Sequence, residues 1–254
     1  MFVSLEGNIG AGKTTLINRF KQFVKDNRIH DIHFCDEPLD LWTDYYVDAN
    51  GRGIFDYYYH DPSRWAFTFQ FIAMKTRYDT YTKALKSLDH FHDHVFIFER
   101  SIFADYIFEK TLHSLGCLND IEHKIYKDWF DFFYRQLEKP FGGQKYVYID
   151  TTPEECLSRI HQRNRKSEEG IDLQFLKKLT DLHQQWFQTN ELDGYHHFEH
   201  ESPYDTSVKH LNMTSVNGHD NFHTNPETTI YKILDFIYES PYKIKRSSPT
   251  TDSI

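Results

Sequence analysis

Gly7-Asn8-Ile9-Gly10-Ala11-Gly12-Lys13-Thr14 decides how this chain is read. It follows the pattern G-x-x-x-x-G-K-[ST] and sits directly after an apolar run, Phe2–Leu5, and before a helical pattern over Thr15–Val24. A phosphate-cradling loop needs strand, loop and helix in that order. Glycines let the backbone wrap closely around phosphate oxygens, and the N–H groups at the start of the helix point inward at the anion. Lys13 is then placed to reach β- and γ-phosphates, and the Thr14 hydroxyl to ligate Mg²⁺. The stretch from Gly7 to Thr15 is therefore expected to form an ATP site through Gly7, Asn8, Ile9, Gly10, Ala11, Gly12, Lys13, Thr14 and Thr15.

Outward from the loop, short β-branched and aromatic runs alternate with long helical stretches, the pattern of a parallel sheet with crossover helices. The expected strands are Phe2–Leu5, Ile32–Cys35, Val95–Phe98, Tyr146–Ile149 and Leu211–Val216. The expected fold is α/β: a P-loop fold with a five-stranded parallel sheet flanked by helices. The longest helix is expected from Asp61-Pro62, an N-cap followed by proline at the first helical position, to about Leu88. Phe67, Phe71, Met74, Tyr78, Tyr81, Leu85 and Leu88 recur along it at spacings of four and three, an apolar stripe suited to core packing or to a dimer seam. Thr152-Pro153-Glu154-Glu155 reads as a capping box with proline inside it, and Asn225-Pro226 as a further helix start. Asp193–Lys209 has no clear period and reads as a loop or insertion; residues 240–254 read as a disordered tail. Residues 1–239 are expected to form one domain.

Composition narrows the function. The 254 residues carry 29 Lys and Arg against 38 Asp and Glu, a net charge of −9, whereas a duplex-binding protein needs a basic footprint, so no nucleic-acid partner is expected. Aromatic residues reach 17%, which excludes disorder over most of the chain. Uncharged apolar runs are only strand-sized, so no membrane partner is expected. Cys35, Cys117 and Cys156 are too widely spaced for a disulfide framework or a cysteine zinc site. Met1 runs straight into the first strand, so no leader peptide is expected and a cytoplasmic location fits. His90, His92 and His94, and then His196, His197 and His200, form clusters with no completing ligand set, and no function is assigned to them.

Ligands of open α/β sheets lie beyond the carboxyl ends of the strands, so those ends carry the acceptor. The second strand runs into Asp36-Glu37-Pro38, followed by Trp42, and the third into Glu99-Arg100-Ser101. Each acid is either a site residue or a solvated strand-end charge, and Asp150 competes as a metal-site carboxylate or a helix-start residue. On the long helix Gln70, Ala73 and Arg77 share a stripe; a glutamine offers donor and acceptor side by side, which suits a nucleobase edge. Arg159, Arg163 and Arg165 make a basic helix end of the kind that closes over phosphates, or ordinary surface ion pairs.

Together, EGNIGAGKTT (Glu6–Thr15), DEP with Trp42, YHDPSRWAFTFQ (Tyr59–Gln70), FERS with Asp105, and TPEECLSRIHQRNR (Thr152–Arg165) resemble the deoxynucleoside kinases, in order from about residue 2 to 190. The resemblance implies phosphoryl transfer from ATP, with Mg²⁺, to the 5′-hydroxyl of a small-molecule deoxynucleoside by a homodimer packed through the long helix 62–88. It implies Glu37 as the base for the 5′-hydroxyl proton, with Glu99 as Mg²⁺-associated carboxylate or alternative base, and Arg100 beside the 5′-hydroxyl. It implies Tyr59 and Glu168 on the 3′-hydroxyl, Gln70 as base reader, and Trp42 and Phe69 as walls. Arg159, Arg163 and Arg165 would lie in a helical, arginine-rich lid over about 159–170. Ala73, Arg77 and Asp105 match the trio around the base in deoxycytidine and deoxyguanosine kinases, so deoxycytidine and purine deoxynucleosides are expected over thymidine, and replacing Arg77 by Met with Asp105 by Ala is expected to raise thymidine turnover. Lys166-Ser167 departs from the usual lid pattern, which leaves Glu168 and Glu169 as alternatives for one role. Asn217–Phe222 matches the donor-base loop only loosely. A nucleoside monophosphate kinase and a non-catalytic P-loop regulatory module are the rival readings.

Overall fold

Phe2–Glu6 (β1) is buried along its whole length and forms the centre of the sheet, with strands on both sides of it and Val3–Leu5 paired to both. The computed structural model describes residues 1–86, 94–138, 144–165, 168–189, 191–193, 195–196, 213–220, 222 and 224–239. After β1 come Lys13–Asp26 (α1), Ile32–Cys35 (β2), a π-helical turn at Leu41–Tyr45, Ile54–His60 (α2), Pro62–Lys86 (α3) and Val95–Glu99 (β3). Ile102–Ser114 (α4), Asp120–Glu138 (α5), Lys145–Asp150 (β4), Pro153–Arg163 (α6) and Leu173–Thr189 (α7) follow. Glu191–Leu192 (β5) pairs antiparallel with Tyr195–His196 (β6), and Met213–Asn217 (β7) and Glu227–Tyr238 (α8) complete the order. The main sheet has five strands, all parallel, in the order β2-β3-β1-β4-β7. The chain leaves β1 toward one edge and later crosses to the other, so a crevice opens at the carboxyl ends of β1 and β3.

The fold class and the five strands agree with the sequence reading, within a residue or two at their ends. Leu211, where the last strand was expected to begin, lies outside the described residues. α1 starts at Lys13, two residues before the expected Thr15, so the motif itself supplies the first helical turn. α3 is described to Lys86, short of Leu88. The capping box forms: the Thr152 hydroxyl accepts from the Glu155 N–H at 3.4 Å, with proline in the first turn. Of the expected loop or insertion Asp193–Lys209, Asp193 and β6 are described, β6 pairing back on β5 just before it, while 197–209, the tail 240–254, His90, His92, His197 and His200 lie outside the described residues.

The apolar stripe of α3 is used inside the chain. Tyr81 stacks on Phe98 with ring centroids 4.1 Å apart, Tyr78 packs on Phe133 at 4.7 Å, and Phe71 meets Trp129 at 5.4 Å. On α5, by contrast, Ile121, Ile125, Trp129 and Phe132 lie on one stripe and are 71%, 41%, 43% and 49% exposed. No helix among the described residues is long and apolar enough to cross a membrane.

Candidate active site

The loop after β1 takes its shape from close packing. Gly10 has φ +77°, and a Cβ there would come within 2.6 Å of the Cys156 carbonyl oxygen, so only glycine lets the loop rest on α6. Lys13 is buried and donates to the carbonyl oxygens of Gly7 (3.1 Å) and Asn8 (2.6 Å). Burial, aided by the positive charge of Arg100, pushes its pKa down to about 7. An anion in the loop would reverse that shift. The Asn8 side chain turns away from the cleft, donating to the Leu176 carbonyl (2.8 Å) and the Thr180 hydroxyl (2.9 Å) and so tying the loop to α7. Gly7, Asn8 and Ala11 shape the loop, whereas Ile9, Gly10, Gly12, Lys13, Thr14 and Thr15 line the cleft, which holds about 610 Å³.

Opposite the loop, charges from separate elements converge. Arg77 of α3 is 3% exposed; its Nε donates to Asp105 Oδ2 (2.7 Å), Nη1 to the Glu99 carbonyl (2.7 Å) and Nη2 to Glu37 Oε1 (3.1 Å). Arg100 Nε lies 3.6 Å from the same Glu37 oxygen, and its Nη1 donates to the Gly7 carbonyl at 2.8 Å. Burial alone would raise the Glu37 pKa, but Arg100, Arg77 and Lys13 outweigh it and hold this carboxyl below its ordinary range. Glu99 goes the other way: burial and the nearby Glu37 carboxylate raise it, while the Thr14 hydroxyl donates to its Oε1 at 2.8 Å. Asp105 is likewise raised by burial, against the pull of Arg77.

Arg100 adopts φ +70°, left-handed for a residue with a Cβ, at a cost of roughly 1–2 kcal/mol. Its N–H bonds to the Leu5 carbonyl (3.0 Å), the next N–H, of Ser101, to Glu6 Oε1 (2.8 Å), and its guanidinium lies over Phe108. Glu6 is fully buried, and burial raises its pKa. A carboxylate at the end of the central strand thus braces the strained turn that presents Arg100.

Deeper in the cleft are Trp42, Phe69, Gln70 and Ala73. Tyr58 stacks on Phe69 at 4.6 Å, Trp42 meets Phe69 edge-on at 5.3 Å and stacks near Phe55, and the Trp42 indole N–H donates to Thr76 Oγ1 at 3.1 Å. At the mouth, Arg163 Nε donates to Glu168 Oε2 (2.7 Å), and Arg165 lies 3.4 Å from Glu168 Oε1. Glu168 is buried and Glu169 exposed, so Glu168 is the inward one of the two. Tyr59 is raised by burial and by the adjacent Glu168 and Glu37 charges. Arg159 donates to the carbonyls of Ala11 (3.1 Å) and Gly218 (2.8 Å), Glu155 pairs with both Arg159 and His219, and Phe222 lies against Gly12.

The cleft is thus lined by Glu37, Trp42, Tyr59, Phe69, Gln70, Ala73, Arg77, Glu99, Arg100, Asp105, Arg159, Arg163, Arg165 and Glu168, every residue expected of the acceptor side and the lid. Asp150 is exposed at the end of β4 and does not line it. Sequence reasoning missed the link from Arg77 to Glu37, the brace of Glu6, and Tyr58 and Phe55 in the aromatic wall. Glu6 left one signal: an acid closing an otherwise apolar buried strand.

The chain is similar to known proteins over nearly its whole length. A family model described as deoxynucleoside kinase matches residues 3–237. A deoxycytidine kinase of Bos taurus is 31% identical over 248 residues, covering 92% of this chain and 90% of its own. A mitochondrial deoxyguanosine kinase of Xenopus laevis is 33% identical, with 72% of each chain covered, and a probable deoxycytidine kinase of Fowlpox virus is 34% identical, covering 93% of this chain and 88% of its own.

Proposed function

The chain belongs to the deoxynucleoside kinase family and is a nucleoside-phosphorylating kinase, and from that premise we propose that it moves the γ-phosphoryl group of ATP to the 5′-hydroxyl of deoxycytidine and purine deoxynucleosides in preference to thymidine. The observation that carries the reading is the meeting of Glu37 with Arg77 and Arg100 in one cleft with Lys13.

Glu37, kept ionised by its arginines, accepts the 5′-hydroxyl proton, and Arg100 fixes that hydroxyl. Lys13, the loop N–H groups and Arg159, Arg163 and Arg165 hold the phosphates and the charge that spreads in transfer. Tyr59 and Glu168 hold the 3′-hydroxyl. Trp42 and Phe69 wall the base, Gln70 reads its edge, and Ala73, Arg77 and Asp105 set base choice, since a lost hydrogen bond in a closed pocket costs roughly 1–3 kcal/mol. The Thr14 hydroxyl and Glu99 carboxyl are hard oxygen donors side by side, and burial and the Glu37 charge still raise Glu99 despite Lys13 and Arg100; this donor set fits Mg²⁺. Thr14 and Glu99 would hold the ion, which when bound would supply positive charge against that of the phosphates. Residues 1–239 act as one catalytic unit, with 159–170 as its lid. The exposed stripe on α5, bordered by Phe71 of α3, supports pairing with a second copy through α5 as well as α3; sedimentation of the full chain checks it.

A nucleoside monophosphate kinase would need arginines free to grip the acceptor's phosphate. Arg77 and Arg100 are already engaged by Asp105 and Glu37, which favours the nucleoside as acceptor. Phosphate transfer from ATP·Mg²⁺ to the four deoxynucleosides and the four monophosphates is the test. Turnover of deoxycytidine or a purine deoxynucleoside, reduced about 10²–10⁴-fold in Glu37→Gln, is expected; turnover of monophosphates alone would overturn the proposal.

A further inference from the structure

Arg77 carries the argument further. The family resemblance implies a place at the nucleobase for it, yet its guanidinium is shared among Asp105, the Glu99 carbonyl and Glu37. Nε and both terminal nitrogens are engaged, and the planar fork fixes the relative positions of its acceptors as a lysine's single ammonium does not. Asp105 lies in α4 and Glu37 beyond β2, and among the described contacts the Arg77 guanidinium joins the two.

The groups that face Glu37 are few. Arg77 approaches from α3, Arg100 from the turn after β3 and Lys13 from α1; the acids are Glu99 and Asp105, and Tyr59 approaches from α2. Of the two arginines, Arg100 is held mainly by the phosphate loop through Gly7, and its distance to Glu37 is the longer, 3.6 Å against 3.1 Å. Arg77 therefore sets where the Glu37 carboxylate stands. Its own backbone is steadied next door, where Thr76 Oγ1 accepts the Trp42 indole N–H.

We infer that Arg77 is a positioning residue for the catalytic carboxylate, and that it carries the state of Asp105, and so the fit of the nucleobase, to Glu37. This rests on the reading of Glu37 as base and of Asp105 as base-facing. Its consequence is that a poorly fitting base lowers turnover as well as affinity, because a base that disturbs Asp105 also moves Arg77 and, through it, Glu37. Substitutions that widen base choice at Arg77 or Asp105 then lower kcat on deoxycytidine, although Asp105 itself makes no hydrogen bond to Glu37.

A double-mutant cycle on the full chain tests this, using the deoxynucleoside that wild type turns over fastest and reading kcat together with nucleoside binding by tryptophan fluorescence. Asp105→Asn is expected to lower kcat by about tenfold in the wild-type background but by less than about twofold in Glu37→Gln, since coupled residues are non-additive. Arg77→Lys, which keeps the charge and loses the fork, is expected to behave in the same way and carries the test if Asp105→Asn does not fold. Equal factors in both backgrounds, or a change confined to KM and binding, would overturn the inference and leave the base role of Glu37 intact. Undiminished turnover in Glu37→Gln would instead remove the reading on which it rests.

Discussion

The two walls of the cleft hold their charges differently. On the acceptor side Arg77, Asp105, Arg100 and Glu99 are each less than 10% exposed and locked to one another or to backbone carbonyls. On the donor side the Arg159, Arg163 and Arg165 side chains are 29%, 33% and 49% exposed; each pairs with an acid that a phosphate would replace, and Arg159 is held in addition by the Ala11 and Gly218 carbonyls. The first arrangement is preorganised, as charges that must stand in one place during bond-making need to be. The second is exchangeable, since its arginines reach solvent and can turn from their acids to an incoming phosphate. The chain thus builds a rigid acceptor pocket against a surface that rearranges around its donor.

Lys13 belongs by position to the donor side but by burial to the rigid one, and it gives the sharpest test. Lys13→Ala is expected to lower kcat by about 10³-fold or more with little change in nucleoside binding; a loss of only about tenfold would place the loop lysine with the exchangeable charges. Arg163→Ala is expected to raise the apparent KM for ATP by about tenfold, an effect that shrinks as salt is raised, because the Arg163 side chain is one-third exposed. A salt-independent loss in kcat would show that wall to be as preorganised as the other.

The smallest expected effect comes from an internal control on α4. Glu109, one turn beyond Asp105, is fully buried and pairs with the His123 imidazole at 3.0 Å, with His113 and Lys110 acting on it from farther off. Burial pushes its pKa up to about 8. Between the ordinary carboxylate value and that one the folded chain keeps a proton that the unfolded chain releases, so stability falls as pH rises across this window. Glu109→Gln is expected to raise Tm by about 2–4 °C at pH 8 and by less at pH 5. An equal gain at both values would mean that burial without a guanidinium does not keep this acid protonated.

Much of this was legible because it is local. The phosphate loop, the capping box at Thr152 and the buried strands are each written in a few adjacent residues, and backbone geometry follows from them directly. The acceptor cluster could be named residue by residue but not assembled: Glu37, Arg77 and Asp105 are separated by 40 and 28 positions, and no spacing records that one guanidinium meets both acids. The same limit applies to Asn8, where a loop motif foretells the backbone and says nothing of a side chain that serves α7. It applies again to α5, whose apolar stripe resembles that of α3 in sequence, although the sheet and α5 cover the one and leave the other open.

The glycine contact at Gly10 has a mechanical consequence. The first turns of α6 are pinned to the loop through Cys156, and Arg159 is pinned to it through the Ala11 carbonyl, so this part of the helix moves only with the loop. Past Arg163 the chain turns at Asn164, which is left-handed at φ +49°, before reaching Glu168. Leverage on the mouth of the cleft begins there: α6 is the fixed beam, and Asn164 is where the backbone turns away from it.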